Sequence, residues 1–306
     1  MRSPVPAAAE PARGGFAVVV ALLIVYVVWG STYLGIRFAL EGGFPPLLAV
    51  SGGRFLVSGA LMYAFLRWRG YAAPTLAQWR NVAVLALTML AMGNGLVVLA
   101  EETVSSGLAA VAVASVPLWM GIFGAMRGQH PSRREWTGIA IGFVGVVMLN
   151  FGSSLTASPK GLIMLLIASL GWSFGSVWSR GRDLPTPFMT AAAQMICGGV
   201  VIMLAGWLHG DRLDTTPTPL GIAAIVYLAI FGSIVAFTAY VWLLNQVRPV
   251  VAGSYAYVNP VIAVVLGAWL ARERFTPLDL GAMGVILLGV VVMTLARARG
   301  GAKRTS

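Results

Sequence analysis

The sequence predicts an all-α membrane protein of ten transmembrane helices, arranged as two five-helix repeats that enter the membrane in opposite directions. Three observations predict this fold. Hydrophobic residues make up 58 % of the 306 residues and charged residues only 10 %, whereas a soluble domain has about 25 % charged residues. The apolar residues fall into stretches of spanning length. The two halves of the chain also share residues at one fixed offset.

Each predicted span is long enough to cross a bilayer, because about 20 residues at a rise of about 1.5 Å cover the hydrocarbon core. The spans are predicted at 17–40, 46–66, 79–100, 105–126, 135–151, 161–180, 187–208, 220–244, 250–271 and 278–297. Prolines precede several of them, where a helix start tolerates proline. The first run is too long for a secretory signal, so we expect it to remain as a span.

The distribution of Lys and Arg predicts that both termini are cytoplasmic, because cytoplasmic loops carry the excess of these residues. Of the 21 Lys and Arg residues, Arg54 falls within a span, and the loops on the opposite side hold only Arg37, Lys160, Arg212, Arg272 and Arg274. The predicted units are a cytoplasmic tail 1–16, a first repeat 17–151, a second repeat 161–297 and a basic tail 298–306.

The repeat is visible at an offset of 143 residues. The matching pairs are Trp29 with Trp172, Arg37 with Arg180, Val104 with Val247, Pro117 with Pro260, and Gly138 with Gly281. Five spans are an odd number, so the second repeat is inverted. Inverted repeats are typical of secondary transporters, whose solute site lies between the repeats near the midplane. Pro117 and Pro260 would break spans 4 and 9 as gating elements, or simply kink them for packing.

Several motifs together resemble those of the drug/metabolite transporter superfamily. They are Val28–Tyr33 followed by Arg37, Gly52-Gly53-Arg54-Phe55, Ser254–Pro260, and Ala271–Arg274. The resemblance is to its EamA-type exporters, including the YddG and YedA groups of bacterial inner membranes, and it covers roughly residues 17–297. It implies helices around a central cavity, with spans 5 and 10 set to one side. It also implies export of amino acids, often aromatic or hydrophobic, or of related metabolites and toxic analogues.

Candidate substrate-binding residues are polar or aromatic side chains at membrane depth. They are Trp29, Tyr33, Arg54, Asn94, Trp119, Trp172, Ser176, Gln194, Tyr240, Tyr257 and Asn259. Arg54 would attract a carboxylate, or bond to backbone carbonyls as a structural residue. Trp29 and Trp172 would stack on an apolar solute, or pack between helices. The amides would hold an amino acid, or join helices.

No carboxylate lies near a span centre, so the sequence shows no clear proton relay. Glu101, at the outer end of span 3, is the candidate coupling residue, and uncoupled export is the equal alternative. A multidrug exporter, possibly proton-coupled, is the alternative function. An enzyme is disfavoured because His130 and His209 lie in loops on opposite sides. A channel is disfavoured because no filter or charged ring is visible. We expect no cofactor, metal site or nucleic-acid partner, and a lipid bilayer around a monomer or a homodimer.

The single cysteine, Cys197, falls within an apolar run and is expected to be a buried thiol. Glycine runs Gly138-Gly142-Gly145 and Gly281-Gly284 predict close helix packing in spans 5 and 10. That packing is expected within one chain, with a dimer face as the alternative.

Overall fold

The computed structural model describes residues 13–104, 109, 112–149, 158–271 and 277–300. Helices overlap each predicted span. They are α1 (Arg13–Glu41), α2 (Pro46–Trp68), α3 (Leu76–Ala100), α4 (Val116–Met126), α5 (Arg133–Leu149), α6 (Pro159–Trp178), α7 (Pro187–His209), α8 (Pro219–Gln246), α9 (Tyr255–Ala271) and α10 (Pro277–Gly300). Residues 105–108, 110 and 111 of predicted span 4, residues 150 and 151 of predicted span 5, the loop residues Arg272 and Arg274, and residues 1–12 and 301–306 lie outside the described part.

Six of these helices are long and apolar enough to cross a membrane: α1, α2, α3, α6, α7 and α8. The described apolar parts of α4 and α10 are shorter. Large apolar side chains such as Phe16, Phe65 and Leu204 are exposed on the outer surface, where lipid replaces water as their neighbour. The predicted all-α membrane fold is therefore confirmed.

Polar contacts gather at the two ends of the helix bundle. At one end, Arg127 Nη1 donates to the carbonyl of Val177 at 2.9 Å, and Asn81 Nδ2 donates to the carbonyl of Asp183 at 2.9 Å. At the other end, a carboxylate oxygen of Asp211 accepts from the first free amides of α2, Leu47 N and Leu48 N, at 2.8 and 2.9 Å. We call these ends the basic side and the opposite side.

Helices α5 and α10 pack mainly against each other, beside the rest of the bundle. A Cβ at Gly142 would lie 2.7 Å from the ring of Tyr257, and a Cβ at Gly289 would lie 2.4 Å from the backbone nitrogen of Gly142. The predicted close packing therefore uses all three glycines of α5, since a Cβ at Gly138 or Gly145 would lie 2.7 Å from the backbone nitrogen of Met293 or Ile286 on α10. On α10 it uses Gly289, because Gly281 and Gly284 have open space where a Cβ would stand.

Three helices contain π-helical segments, which are rare and often lie at functional sites. They cover Pro46–Gly53 in α2, Ala86–Gly95 in α3 and Leu228–Phe237 in α8. The segments in α3 and α8 are each ten residues long and belong to the third helix of each half. All three segments contribute to, or directly precede, residues around the same cavity.

Candidate functional site

A cavity of about 100 Å³ lies among α1, α2, α3, α6, α8 and α9. Six of the predicted residues line it: Trp29, Tyr33, Arg54, Asn94, Trp172 and Asn259. It extends toward the opposite side as far as Ile36 and Val97, which lie close to the ends of α1 and α3. We call it the central cavity. Residues from both halves of the chain meet there.

Arg54 is a buried cation at the wall of the central cavity, with only 5 % of its surface exposed. Its Nη2 donates to Asn94 Oδ1 at 3.3 Å, and its guanidinium lies 4.4 Å from the centre of the Phe55 ring. Its Nε has no hydrogen-bond partner, and no described carboxylate pairs with it. A buried charge without a counter-charge is costly, so this site favours an anionic group from a ligand.

Asn94 is held in place by a second donor. Ser51 Oγ donates to the same Oδ1 of Asn94 at 2.8 Å. Ser51 belongs to the π-helical segment of α2, which ends directly before Arg54. Asn94 belongs to the π-helical segment of α3. The two segments therefore place a serine, an asparagine and an arginine on one side of the cavity.

Three aromatic rings, Trp29, Tyr255 and Trp172, form the basic-side end of the central cavity, and the ring of Tyr240 packs behind them. We call these four rings the aromatic floor. The ring centre of Trp29 lies 5.4 Å from that of Trp172, 4.7 Å from Tyr255 and 5.1 Å from Tyr240. Edge-to-face contacts of this kind are favourable for aromatic pairs. Trp29 and Trp172, matched in the repeat, thus meet in space.

Hydrogen bonds fix the orientation of the floor. Trp29 Nε1 donates to the carbonyl of Gly232 at 3.1 Å, and Trp172 Nε1 donates to the hydroxyl of Tyr240 at 3.0 Å. Trp172 lies against Gly93 of α3, where a Cβ would come within 2.7 Å of the indole. Glycine at this position allows the indole to approach the helix backbone.

Five predicted residues do not line the central cavity in this structure, because each faces a neighbouring helix or another cavity. Tyr240 and Ser176 lie behind Trp172 and share a hydrogen bond of 2.8 Å. Tyr257 donates to the carbonyl of Ile139 on α5 at 3.0 Å, and Trp119 donates to Ser115 Oγ at 3.2 Å. Gln194 lines a second cavity, nearer the basic side.

The gating and coupling candidates lie at the edges of the site. Pro117 is the second residue of α4, after a break in the helix, whereas Pro260 lies inside α9. Glu101 directly follows the last residue of α3, and its Oε1 is buried with no hydrogen-bond partner.

Some cavity residues were not predicted from the sequence, notably Thr32, Gly232 and Phe237. Thr32 follows Trp29 by three residues and so shares its helix face, which could have identified it. Gly232 and Phe237 carry no such signal, because lipid-facing positions of the same helix use similar residues.

Comparison with known proteins gives the family. The EamA-like transporter family matches residues 16–151 and 159–295. The chain is 45 % identical over 278 residues to the inner membrane transporter YedA of Escherichia coli strain K12, covering 90 % of each chain. It is 23 % identical over 287 residues to a transporter of Archaeoglobus fulgidus, covering 90 % of this chain and 96 % of that one.

The fold has a counterpart among crystal structures. One such structure superposes with a TM-score of 0.75 at 20 % identity, covering 93 % of this chain and 98 % of that chain. The likeness supports the arrangement of helices described above. With both halves matched, the resemblance seen in the sequence is confirmed, and this chain is a membrane protein of the EamA-like transporter family.

Proposed function

We propose that this chain exports amino acids and related small metabolites from the cytoplasm by alternating access, with aromatic and hydrophobic amino acids among its substrates. The observation that carries the proposal is Arg54. Its buried guanidinium has a free Nε–H and no described carboxylate beside it. A substrate carboxylate would accept from this planar group and neutralise its charge.

The second group of an amino acid also has a partner in the central cavity. Asn259 is buried, lines the cavity, and its Oδ1 has no hydrogen-bond partner. An amide oxygen in this state favours a donor, and the ammonium group of an amino acid supplies one. Arg54 therefore suits the carboxylate of an amino acid and Asn259 suits its ammonium group. The aromatic floor offers a surface for the side chain of the substrate.

Alternating access requires one side of the cavity to be closed, and the aromatic floor supplies that barrier on the basic side. We take the basic side to be cytoplasmic and the units 17–151 and 161–297 to be inverted repeats. The equal π-helical segments in α3 and α8 support this organisation. The name of the Escherichia coli relative supports an inner-membrane location.

The test is uptake into proteoliposomes of a panel of labelled amino acids beside a cationic dye, with and without an imposed pH gradient. We expect saturable movement of phenylalanine and related amino acids that does not depend on the gradient. Movement of the dye alone, driven by the gradient, would overturn the amino-acid assignment.

The second candidate is a proton-coupled exporter of toxic cations, and Glu101 is the observation that favours it. A buried carboxyl oxygen without a partner can hold a proton or a cationic solute. In that case Glu101→Gln would abolish gradient-driven movement of the dye. Amino-acid transport that is unchanged by Glu101→Gln supports the first candidate.

A further inference from the structure

A second cavity of about 110 Å³ lies between the aromatic floor and the basic side. It is bounded by α3, α7, α8 and the loop that joins α6 to α7. Its polar lining includes Ser179, Arg182, Thr190, Gln194 and Asn245. A space of this size holds several water molecules, so a small polar solute fits its chemistry. We call it the loading cavity.

Gln194 is the deepest polar group of the loading cavity. It is fully buried, with 0 % of its surface exposed. Its Nε2 donates to the carbonyl of Leu85 at 3.2 Å and lies 3.4 Å from the sulfur of Met89. Its Oε1 is buried with no hydrogen-bond partner. The amide is thus oriented by α3, while its oxygen remains open to a donor in the cavity.

Arg182 lies at the exposed end of the same cavity. Its guanidinium is 4.4 Å from the centre of the Trp178 ring, and no described carboxylate pairs with it. The neighbouring Asp183 carboxylate instead accepts from Gln78 Nε2 at 2.9 Å.

Arg180, two residues before Arg182, adds to the positive potential at this end. Burial, and then the charge of Arg248, lowers the pKa of Arg180, but Arg248 itself is neutralised by its ion pair with Glu135. The mouth of the loading cavity therefore favours an anionic group.

The two cavities are separated by a thin layer of side chains. Met89 lines the loading cavity, and its neighbour Leu90 lines the central cavity. On α8, Val241 lines the loading cavity, and Phe237, one turn away, lines the central cavity. Met89 is a flexible, unbranched side chain, so this layer can rearrange at the loss of one weak hydrogen bond, from Gln194 Nε2 to the Met89 sulfur.

We propose that the loading cavity is a second amino-acid site, which takes the zwitterion from the cytoplasm before the aromatic floor opens. The carboxylate first contacts Arg182 at the mouth, and the ammonium donates to Gln194 Oε1 when the substrate has moved to the deep end. Gln194 and Asn259 thus offer a buried amide oxygen at two successive points of the route. The inference rests on the proposed function, since it assigns the same substrate to a second position on its route.

The experiment compares uptake of labelled phenylalanine into inside-out and right-side-out membrane vesicles. Gln194→Leu should raise KM at least fivefold for substrate offered on the cytoplasmic face and less than twofold from the other face. Arg54→Gln should raise KM from both faces. Gln129→Leu, an amide on the basic side outside the loading cavity, is the matched control and should leave both values unchanged.

A second variant protects the test against misfolding of Gln194→Leu. Arg182→Gln changes an exposed loop residue and should raise KM from the cytoplasmic face only, whereas Arg212→Gln, exposed on the opposite side, should change neither. Provided that the wild type transports phenylalanine, two results would overturn the loading site. One is a KM that rises equally from both faces, and the other is a KM that is unchanged in both Gln194→Leu and Arg182→Gln. A wild type that carries no amino acid from either face overturns the proposed function, and the loading site with it.

Discussion

Arg54 is a buried cation with an unused donor, and this combination sets the chemistry of the central cavity. Arginine in a membrane span is rare because its insertion is costly, so the sequence alone marks it for attention. The sequence does not show whether a substrate or a carboxylate of the protein is its partner. That depends on which helices face α2, and this is known only from the packed structure.

Arg54→Gln should raise KM for phenylalanine about ten- to hundredfold, because a charge-assisted hydrogen bond of about 1.5–3 kcal/mol is lost. Transport of phenylethylamine, which lacks the carboxylate, should change much less. Arg37→Gln, which removes an exposed arginine, serves as control. Equal loss for the acid and the amine would show that Arg54 has a structural role.

Trp29→Ala should weaken transport of aromatic solutes more than that of small polar ones, because the aromatic floor loses a ring contact worth about 0.5–1.5 kcal/mol. The expected difference in KM is several-fold between phenylalanine and serine. Trp207→Ala, at a position 72 % exposed on the outer surface, is the matched control. If both solutes lose transport equally at normal protein levels, Trp29 acts in packing only.

The sequence identified Trp29, Trp172 and Asn259 because they are unusual residues at membrane depth. Gln194 was predicted beside the same residues, but it lines the loading cavity instead. Helix packing decides how deep a side chain lies in the membrane and which neighbouring helix it faces. Tyr240 and Tyr257 have the right chemistry for a cavity wall, but their hydroxyls are used by Trp172 and by the backbone of α5.

At the scale of elements, helix positions follow from hydrophobicity and length, so nine of the predicted spans match the described helices within five residues, and span 4 matches α4 at its C-terminal end. The π-helical segments could not be predicted, because they depend on contacts between helices rather than on local preference. They are also the parts of α2, α3 and α8 that line or directly precede the central cavity, which agrees with the frequent occurrence of π-helical segments at functional sites.

Gly138→Val should destabilise the pairing of α5 with α10, because its side chain would overlap the backbone of Met293 and Gly289 on α10. Overpacking of this kind costs about 1–3 kcal/mol, which thermal unfolding in detergent should show as a Tm lower by several degrees. Gly281→Val, where a side chain meets open space, should leave Tm unchanged. A similar loss for both variants would contradict the assigned contact.

At the scale of the whole molecule, an ion pair joins the two halves on the basic side. Arg248 Nη1 donates to Glu135 Oε2, and its Nη2 donates to the carbonyl of His130 at 2.8 Å. Glu135 is buried, with 3 % of its surface exposed. Opening of the molecule toward the basic side would have to separate these groups, and breaking a buried pair is costly.

Glu135→Gln should shift the molecule toward a conformation open on the basic side. With Cys197→Ser as background, spin labels at Met126→Cys and Phe188→Cys should report a larger population of long distances, by about tenfold. Glu41→Gln, which breaks an exposed ion pair with Arg37, should leave the distribution unchanged, since exposed pairs contribute little. An unchanged distribution in Glu135→Gln would show that the pair does not hold this side closed.

The unpaired charge of Arg54 has a consequence for the membrane potential. In the proposed alternating-access cycle, this charge faces first one solution and then the other. Moving one charge through 100 mV is worth about 2.3 kcal/mol. A negative interior therefore stabilises the conformation of the empty carrier that is open to the cytoplasm. It also opposes the change of the substrate-loaded carrier to the conformation that is open to the outside. A zwitterion has no net charge, so the voltage effects on the loaded and the empty carrier cancel over a full cycle. Voltage therefore alters the turnover rate but not the concentration gradient that export can reach.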